Sequence, residues 1–448
     1  MKLDEHAANA EHVLAALQRA GLPLAEVYLK EGRSRRLALG IAGPEHQVLV
    51  EEGWAVRAGD RRSAFFVAGT GRPQPDGPWP APAGYPALLP DPAPVVRWTD
   101  PPDLDSPLLT EREAQSLLQA IADALAGELA GAVLVEAALE DGSSISTLAS
   151  SRGVRARWRH RVAWLRLVAS LDAERGEVRA TVEQGAREAR RLQPKTLARA
   201  LADRLAVRAR GTLPERETLD AVLAPAAAAR LLAALLPLLV GPGARERVET
   251  FIGGGAQLAS PALSIVDDGR LPGGLLAAPV DGEGVPTRGV PLVEGGVYRQ
   301  PLLAWWQARG EAAAAAGAAR VASGCSARPS FRDLPRPGPT HLFVRPQEGV
   351  RPAALVGELG RGAYLLDGDG PAHADLRADR FALPVCGFLL GEAGAQRQPL
   401  ARGWLCGSIG ALLRGVSGVA RDLTFFPLDG MIGSPTLRVD GLELRGEA

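Results

Sequence analysis

The spacing of apolar positions changes character along the chain, and each change marks an element. The opening stretch LDEHAANAEHVLAALQRAG repeats its Ala, Val and Leu at helical spacing, predicting an amphipathic helix over residues 5–19 that stops at Gly21. From Ala25 to Gly69 the pattern becomes strict alternation. This predicts three or four antiparallel strands, separated at Gly32, Gly53 and the Gly59-Asp60 turn. Twelve prolines then fall within the 35 residues Pro73–Pro107, a density that excludes helix and central strand and predicts a linker or an extended surface crossing. Helical spacing returns over Thr110–Ala130, where Thr110 and Glu113 form a capping-box pair. Strands follow over Ala132–Glu140, Ser143–Ser150 and Val154–Ser170, and then a helix over Pro194–Arg210, with Pro194 suited to its first turn.

From Leu219 the sequence LDAVLAPAAAARLLAALLPLLVG reads as a strand followed by a helix. The segment Leu263–Leu303 strings short apolar runs between Asp-Gly, Pro-Gly-Gly, Gly-Glu-Gly and Gly-Gly turns, as the β-rich wall of a pocket would. An Ala-rich helix around Trp305–Ala322 and further alternating segments complete the chain. The fold expected is α+β, an N-terminal α/β region with antiparallel strands plus a C-terminal domain dominated by twisted antiparallel β-sheet. The expected divisions are 1–72, a Pro-rich linker 73–107, a middle α+β domain 108–215 and a β-rich domain 216–448.

Composition narrows the function classes. Lys+Arg and Asp+Glu both total 51, so there is no global positive field of the kind that gathers nucleic acid. Only Lys2, Lys30 and Lys195 are lysines, so arginine carries nearly all the positive charge. Cys325, Cys386 and Cys406 are odd in number, widely spaced and without a CxxC pair, which points away from a disulfide framework or cysteine zinc site and toward a reducing compartment. The most apolar window, Ala224–Val240, is interrupted by Pro225, Arg230 and Pro237 and falls short of the ~20 residues of a membrane span. With no secretory-type leader, a cytoplasmic protein is expected.

Motifs of high specificity are missing. No lysine follows a glycine, which excludes a phosphate-binding GxxxxGK[ST] loop. No GxSxG nucleophile elbow occurs, although Cys406-Gly407-Ser408-Ile409-Gly410 comes near. His-Glu never occurs, so HExxH is absent too. Among the carboxylates, Asp267-Asp268 before Gly269 and Asp281 with Glu283 read first as turns whose side chains cap backbone N–H groups, and only secondarily as a hard-metal site. Arg155, Arg157, Arg159 and Arg161 share one strand face, read as solvated or as an electrostatic contact. His160 reads as packed, Cys325 as a buried structural thiol, and Trp305-Trp306 as packing a helix onto the β region.

Several segments together resemble one family. AEVYLKEGRSRRLAL with EEGWAVRAGDRRSAFFVAGTG resembles the opening strands of TldD/PmbA (TldE) metallopeptidase-related proteins, and SSRGVRARWRHRVAWLRLVAS resembles their central strand pair. Asp281-Gly-Glu283-Gly284 matches the family's Asp-x-Glu-Gly turn. Ser323-Gly324-Cys325-Ser326-Ala327-Arg328 resembles its S/T-G-N-A-x-R element, with Cys325 in place of Asn. RDL at 421–423 and IGSPTLRVDGLELRG resemble its closing strands.

In the catalytic branch of that family a helix carries HExxxH, which with a distal residue binds zinc and activates water. In the register set by Ala221-Val222-Leu223, those positions hold Ala233, Ala234 and Leu238, and Gly430-Met431-Ile432-Gly433 stands where the distal Cys would lie. The resemblance therefore implies the non-catalytic PmbA/TldE-like branch, with no catalytic and no metal-binding residues in this chain. Zinc would belong to a TldD-like partner in a heterodimer, a homodimer being the other assembly considered. An extended peptide is the implied ligand, with no nucleic acid and no membrane. The residues implied for the peptide cleft or subunit interface are Asp281, Glu283, Gly284, Arg288, Ser323, Gly324 and Arg328. Two other readings stay open: a stand-alone homo-oligomeric peptide-binding or regulatory protein, and a diverged hydrolase using Cys325 or the Asp267, Asp281 and Glu283 carboxylates. A link to DNA gyrase modulation finds no support in these residues.

Overall fold

A computed structural model describes residues 3–446 apart from 86, 94–97, 99, 175, 253–256, 310–321, 369 and 392–396. Long alternating runs in the first half give six strands: β1 (Leu24–Gly40), β2 (Glu45–Gly59), β3 (Ala64–Thr70), β4 (Val133–Ser150), β5 (Arg155–Ala173) and β6 (Gly176–Ala186). They form one antiparallel sheet in the order β3-β2-β1-β4-β5-β6. Because β1 pairs with β4 along its length, residues 1–72 and 108–215 build a single sheet and do not stand as separate units. Helices α1 (Leu3–Arg19), α2 (Glu111–Glu128) and α3 (Pro194–Arg210) pack on it. Val13, Leu14 and Leu17 of α1 meet Val27, Leu29 and Val56, while Leu118, Ile121 and Leu125 of α2 meet Leu139, Leu165 and Leu167. The capping box forms: the Thr110 hydroxyl accepts from the Glu113 N–H at 3.2 Å, and the Thr110 N–H donates to the Glu113 carboxylate at 2.6 Å.

Of the glycines expected to break strands, Gly59 does so, ending β2 before the turn at Asp60, and the others do not. Gly32 and Gly53 lie inside β1 and β2, and β4 runs straight through Asp141-Gly142. A glycine within a strand marks close approach by another group. At Gly53 that group is the Phe331 ring from the C-terminal half, which occupies the space a Cβ would need. At Gly142 it is the backbone of β1, with the Arg33 carbonyl oxygen 2.7 Å from where a Cβ would stand. The Pro-rich crossing is also tied down. Trp79 stacks on Phe65 with ring centroids 6.3 Å apart and meets Trp54 edge-on. Arg159 bonds Asp105 at 2.6 Å and Asp100 at 3.0 Å, and buried Arg161 donates to the Ser106 and Pro107 carbonyls. Two of the row, half-exposed Arg159 and buried Arg161, thus pin the crossing, whereas Arg155 and Arg157 are exposed.

The C-terminal half contributes β7 (Glu217–Leu223), β8 (Ile265–Asp268), β9 (Gly289–Glu294), β10 (Val297–Tyr298), β11 (Ser326–Ala327), β12 (Arg336–Pro337), β13 (His341–Val344), β14 (Gly362–Asp367), β15 (His373–Asp375), β16 (Arg380–Leu390), β17 (Arg397–Gly407), β18 (Val416–Val419), β19 (Thr424–Leu428), β20 (Gly430–Ser434) and β21 (Leu437–Arg445). One sheet has the order β10-β9-β8-β13-β20-β19, and the other β14-β7-β21-β17-β16-β15 with β18 on β21. Helix α4 (Pro225–Ala234) touches strands of both sheets. The short helices α5 (Leu236–Leu239), α6 (Ala244–Ile252) and α7 (Trp305–Arg309) flank it in sequence. Leu231, Leu232 and Leu238 join strand residues such as Leu223, Leu342, Leu405 and Ile432 in the largest core. Beyond Arg309 the expected Ala-rich helix lies outside the described residues up to 321. The fold is therefore α+β with a β-rich C-terminal half. No helix among the described residues is long and apolar enough to cross a membrane.

Substituting Gly53 by Val forces its side chain into the Phe331 ring. Urea unfolding is expected to show a loss of about 1–3 kcal/mol, the usual cost of overpacking. An unchanged midpoint would contradict the close approach.

Candidate functional site

The sequence-flagged turn lies where the two halves meet. The Asp281 carboxylate accepts three backbone N–H groups: Glu283 and Val285 at 2.9 Å on Oδ1, and Ser326 at 3.0 Å on Oδ2. Glu283 caps the start of α7, accepting from the Trp305 N–H at 2.7 Å, the Trp306 N–H at 3.4 Å and the Ser326 hydroxyl at 2.5 Å. Burial raises both carboxyls above the ordinary range, Asp281 to about 7. Glu283 beside it adds to that rise at Asp281, and the donated hydrogen bonds oppose it. With their oxygens committed to the chain's own donors, these two acids act as staples. Gly284, at φ +85°, would place a Cβ 2.5 Å from Val154 Cγ1 and 2.9 Å from Leu148 Cδ2, so only glycine lets the turn seat against the β4–β5 hairpin.

Arg328 completes the joint. Its guanidinium donates to the Gly282 carbonyl at 2.8 Å, pairs with Glu26 on β1, and lies 4.8 Å from the Tyr28 ring centre. Arg57 on β2 reaches the other Glu26 oxygen at 3.2 Å. Burial alone would raise the Glu26 carboxyl, but Arg57 and Arg328 overcome it and hold the group below the usual carboxylate range. A second arginine, Arg187 near the end of β6, spans the same divide by donating to the Gly274 carbonyl at 2.9 and 2.7 Å.

The remaining flagged residues separate. The Ser323 hydroxyl, buried, accepts from the Leu303 N–H at 3.0 Å, and Gly324 adopts φ +67° against the Pro286 carbonyl. Arg288 is exposed and bonds the Ala322 carbonyl at 2.9 Å. Cys325 is buried, and burial followed by the nearby Asp267 and Asp281 charges pushes its thiol well above the ordinary value, which is the wrong direction for a nucleophile. Asp267 holds Thr340 through its N–H and hydroxyl, both at 2.8 Å. His341 accepts the Leu276 N–H on Nε2 at 3.1 Å, leaving its proton on Nδ1 for the Asp268 carbonyl at 2.9 Å. Burial depresses His341 to about 4, so it is neutral at physiological pH.

The positions where zinc chemistry would stand do not fit a metal. Ala233 and Ala234 end α4, the Leu235 N–H bonds back to the Leu231 and Leu232 carbonyls, and Pro237 sits in the separate turn that buries Leu238. The side chains carry no ligand atoms, and the helix that would align them is broken. Among the described residues no group of three or more His, Cys, Asp or Glu could hold a metal ion.

Beside α4 runs a groove that pattern reading missed. A cavity of about 430 Å³ lies between β5–β6, α3, the start of α4 and β19, lined among others by Arg166, Arg204, Arg230, Asp367, Phe426 and Leu428. A second of about 310 Å³ shares Arg166, Glu183 and Pro427 with it and continues beneath β4 and β5. Asp367 pairs with Arg230 at 2.7 Å and with Arg204 at 3.9 Å, and Arg166 with Glu183 at 3.2 Å. The one sequence cue was Arg230, a lone charge in an apolar helix. Its partners come from segments far away in the chain.

This two-sheet C-terminal half, with its helix between the sheets, matches the model of the PmbA/TldA metallopeptidase C-terminal domain over residues 216–446. The chain belongs to the PmbA/TldD metallopeptidase family. Its whole fold is similar to that of TldE from Thermococcus kodakarensis, with TM-score 0.84 and 16% identity, covering 98% of this chain and 100% of that one. It is also similar to proteins described as proposed modulators of DNA gyrase. That from Bacteroides thetaiotaomicron gives TM-score 0.82 at 17% identity over 100% of both chains, and that from Thermotoga maritima 0.80 at 15% over 98% and 99%. At these identities the likeness establishes the fold.

Two outcomes follow from the joint. Arg328→Ala leaves Glu26 half-paired in a buried site and is expected to cost about 3–5 kcal/mol in denaturant unfolding. A loss within error of zero would show the ion pair to be dispensable. Burial, opposed by the Thr340 bonds, raises Asp267 from 3.8 in the open chain to about 7 when folded. The folded protein therefore keeps a proton that the unfolded chain has lost, and stability from this group falls as pH rises between those values. Asp267→Asn keeps both Thr340 contacts if the hydroxyl reverses its role. Its melting temperature is expected to gain on the parent's from about pH 4 to about pH 7. Parallel curves would refute the shift.

Proposed function

We propose that this chain is the non-catalytic, PmbA/TldE-like member of a cytoplasmic two-chain zinc peptidase, holding an extended peptide while a TldD-like partner carries the metal. The observation that carries the reading is the coexistence of a groove beside α4 with alanine at the end of that helix (Ala233, Ala234) and leucine in the following turn (Leu238), where imidazole and carboxylate would be required. Amide hydrolysis needs an activated water and a base, and neither apolar side chain supplies one.

Holding a peptide is within the groove's chemistry. β19 is the last strand of its sheet, and Thr424, Phe426, Pro427 and Leu428 line the cavity. Backbone groups on an edge strand can pair with an extended chain irrespective of its sequence, while Phe426 and Leu428 offer apolar contact. Pro427 has no N–H and interrupts that ladder, confining strand pairing to its N-terminal side. The Arg204–Asp367–Arg230 cluster at the floor lies within reach of a peptide's polar groups.

Mixed with a TldD-like zinc chain, the protein is expected to co-purify in a complex that cleaves unstructured peptides, with cleavage lost on chelation. Alone, it is expected to bind a labelled peptide without cutting it. Phe426→Ala should weaken that binding about tenfold, on the order of 1.4 kcal/mol. Chelator-sensitive cleavage by the purified chain alone would overturn the assignment.

A further inference from the structure

A third cavity, of about 480 Å³, adjoins the first and shares Ala200 and Arg204 of α3 with it. Together the two follow α3 from Leu197 to Arg210, a length of about 20 Å at the helical rise per residue. An extended peptide covers that length with about six residues. Across from α3, the third cavity is walled by half-buried Tyr364, Leu366 and Phe388 of β14 and β16.

The two ends of this run differ in charge. At the β4–β5 end, the cavity of about 310 Å³ presents Glu136, Glu140 and Glu183 against Arg36 and Arg166. Both of those arginines are already paired, Arg36 with Glu45 at 2.7 Å and Arg166 with Glu183 at 3.2 Å. At the α3 end the lining carries Arg204, Arg210 and Arg397 against Asp203. Arg204 is turned toward Asp367, and burial raises the Asp203 carboxyl above its ordinary range while Arg199, one turn earlier on α3, opposes that rise. Arg210 and Arg397 are exposed, and among the described residues neither forms an ion pair. Arg397 lies 5.9 Å from the Phe388 ring centre, which holds its guanidinium at the cavity wall.

We infer that this end of the groove is a carboxylate site, receiving the free C-terminus of the bound peptide between Arg210 and Arg397 with its last side chain against Leu366 and Phe388. The inference rests on the peptide-holding reading and deepens it by giving the peptide a direction. Guanidinium groups match a carboxylate through paired N–H donors, and a terminal carboxylate brings two oxygens to two arginines. Burial, then the charge of Asp422, raises the Tyr364 phenol above its ordinary value, so it stays a neutral O–H donor beside them. The opposite end suits an amine or a basic side chain. A polyanion laid along the same run would leave the arginines and meet Glu140 and Glu183, so the charge pattern favours a peptide over nucleic acid.

Fluorescence anisotropy of the full chain tests this with an unstructured peptide ending in leucine and labelled on an internal lysine. The free acid is expected to bind about tenfold more tightly than its C-terminal amide. Arg210→Gln combined with Arg397→Gln should bring the acid down to the affinity of the amide and leave the amide unchanged, a pattern that lost packing would not produce. An amide ending in aspartate separates a side-chain carboxylate from a terminal one, and binding equal to that of the free acid would overturn the assignment to a C-terminus. Acid and amide of equal affinity, with Phe426→Ala still weakening both, would overturn this inference and leave the peptide-holding reading standing. Failure of every one of these peptides to bind would overturn both.

Discussion

Glu26 is the carboxylate on which the rest of the structure depends. It is buried on β1 between Arg57 of its own sheet and Arg328 of the C-terminal half. Charges taken out of water are tolerated only with well-placed partners, and each of these arginines is further occupied or enclosed where it stands. Arg328 can reach Glu26 because the turn at Asp281–Val285 is held rigid by its own carboxylates, and because Gly284 and Gly53 let backbone approach where any Cβ would collide. The joint is a chain of dependences: glycine permits contact, contact excludes water, and exclusion of water makes the ion pairs specific.

Local chemistry was legible in the chain. Thr110 with Glu113, Pro194 at a first turn and Asp281 as a turn-former each declare their role within a few residues. The strand breaks were misread for a physical reason: Gly32, Gly53 and Gly142 are there to make room for Ser144, Phe331 and the β1 backbone, none of which is near in sequence. The union of residues 1–72 with 108–215 in one sheet escaped for the same reason, since β1 finds β4 across the proline-rich stretch. The groove was invisible because Arg166, Arg230 and Asp367 converge from three separate regions. Alternation and turn residues report on neighbours along the chain, whereas ion pairs across a divide report on its final folding.

The flagged residues turn out to belong mainly to the joint. Asp281, Glu283, Gly284, Ser323, Gly324 and Arg328 bind their own chain, and only Arg288 is exposed. The proposed function rests on the groove beside α4, where a helix of alanine and leucine fills the core and its end is broken before Pro237. Packing and catalysis compete for those positions: a buried imidazole or carboxylate there would need a partner to offset its desolvation. This chain has apolar side chains instead, with a groove next to them.

The central claim, that the groove holds a peptide while the chain carries no metal chemistry of its own, is tested most directly by titrating the purified chain with zinc and with an unstructured peptide while following bound metal and peptide integrity. The account predicts peptide binding that zinc does not alter, no tightly held stoichiometric zinc and an intact peptide. One zinc per chain with cleavage of the peptide would contradict it.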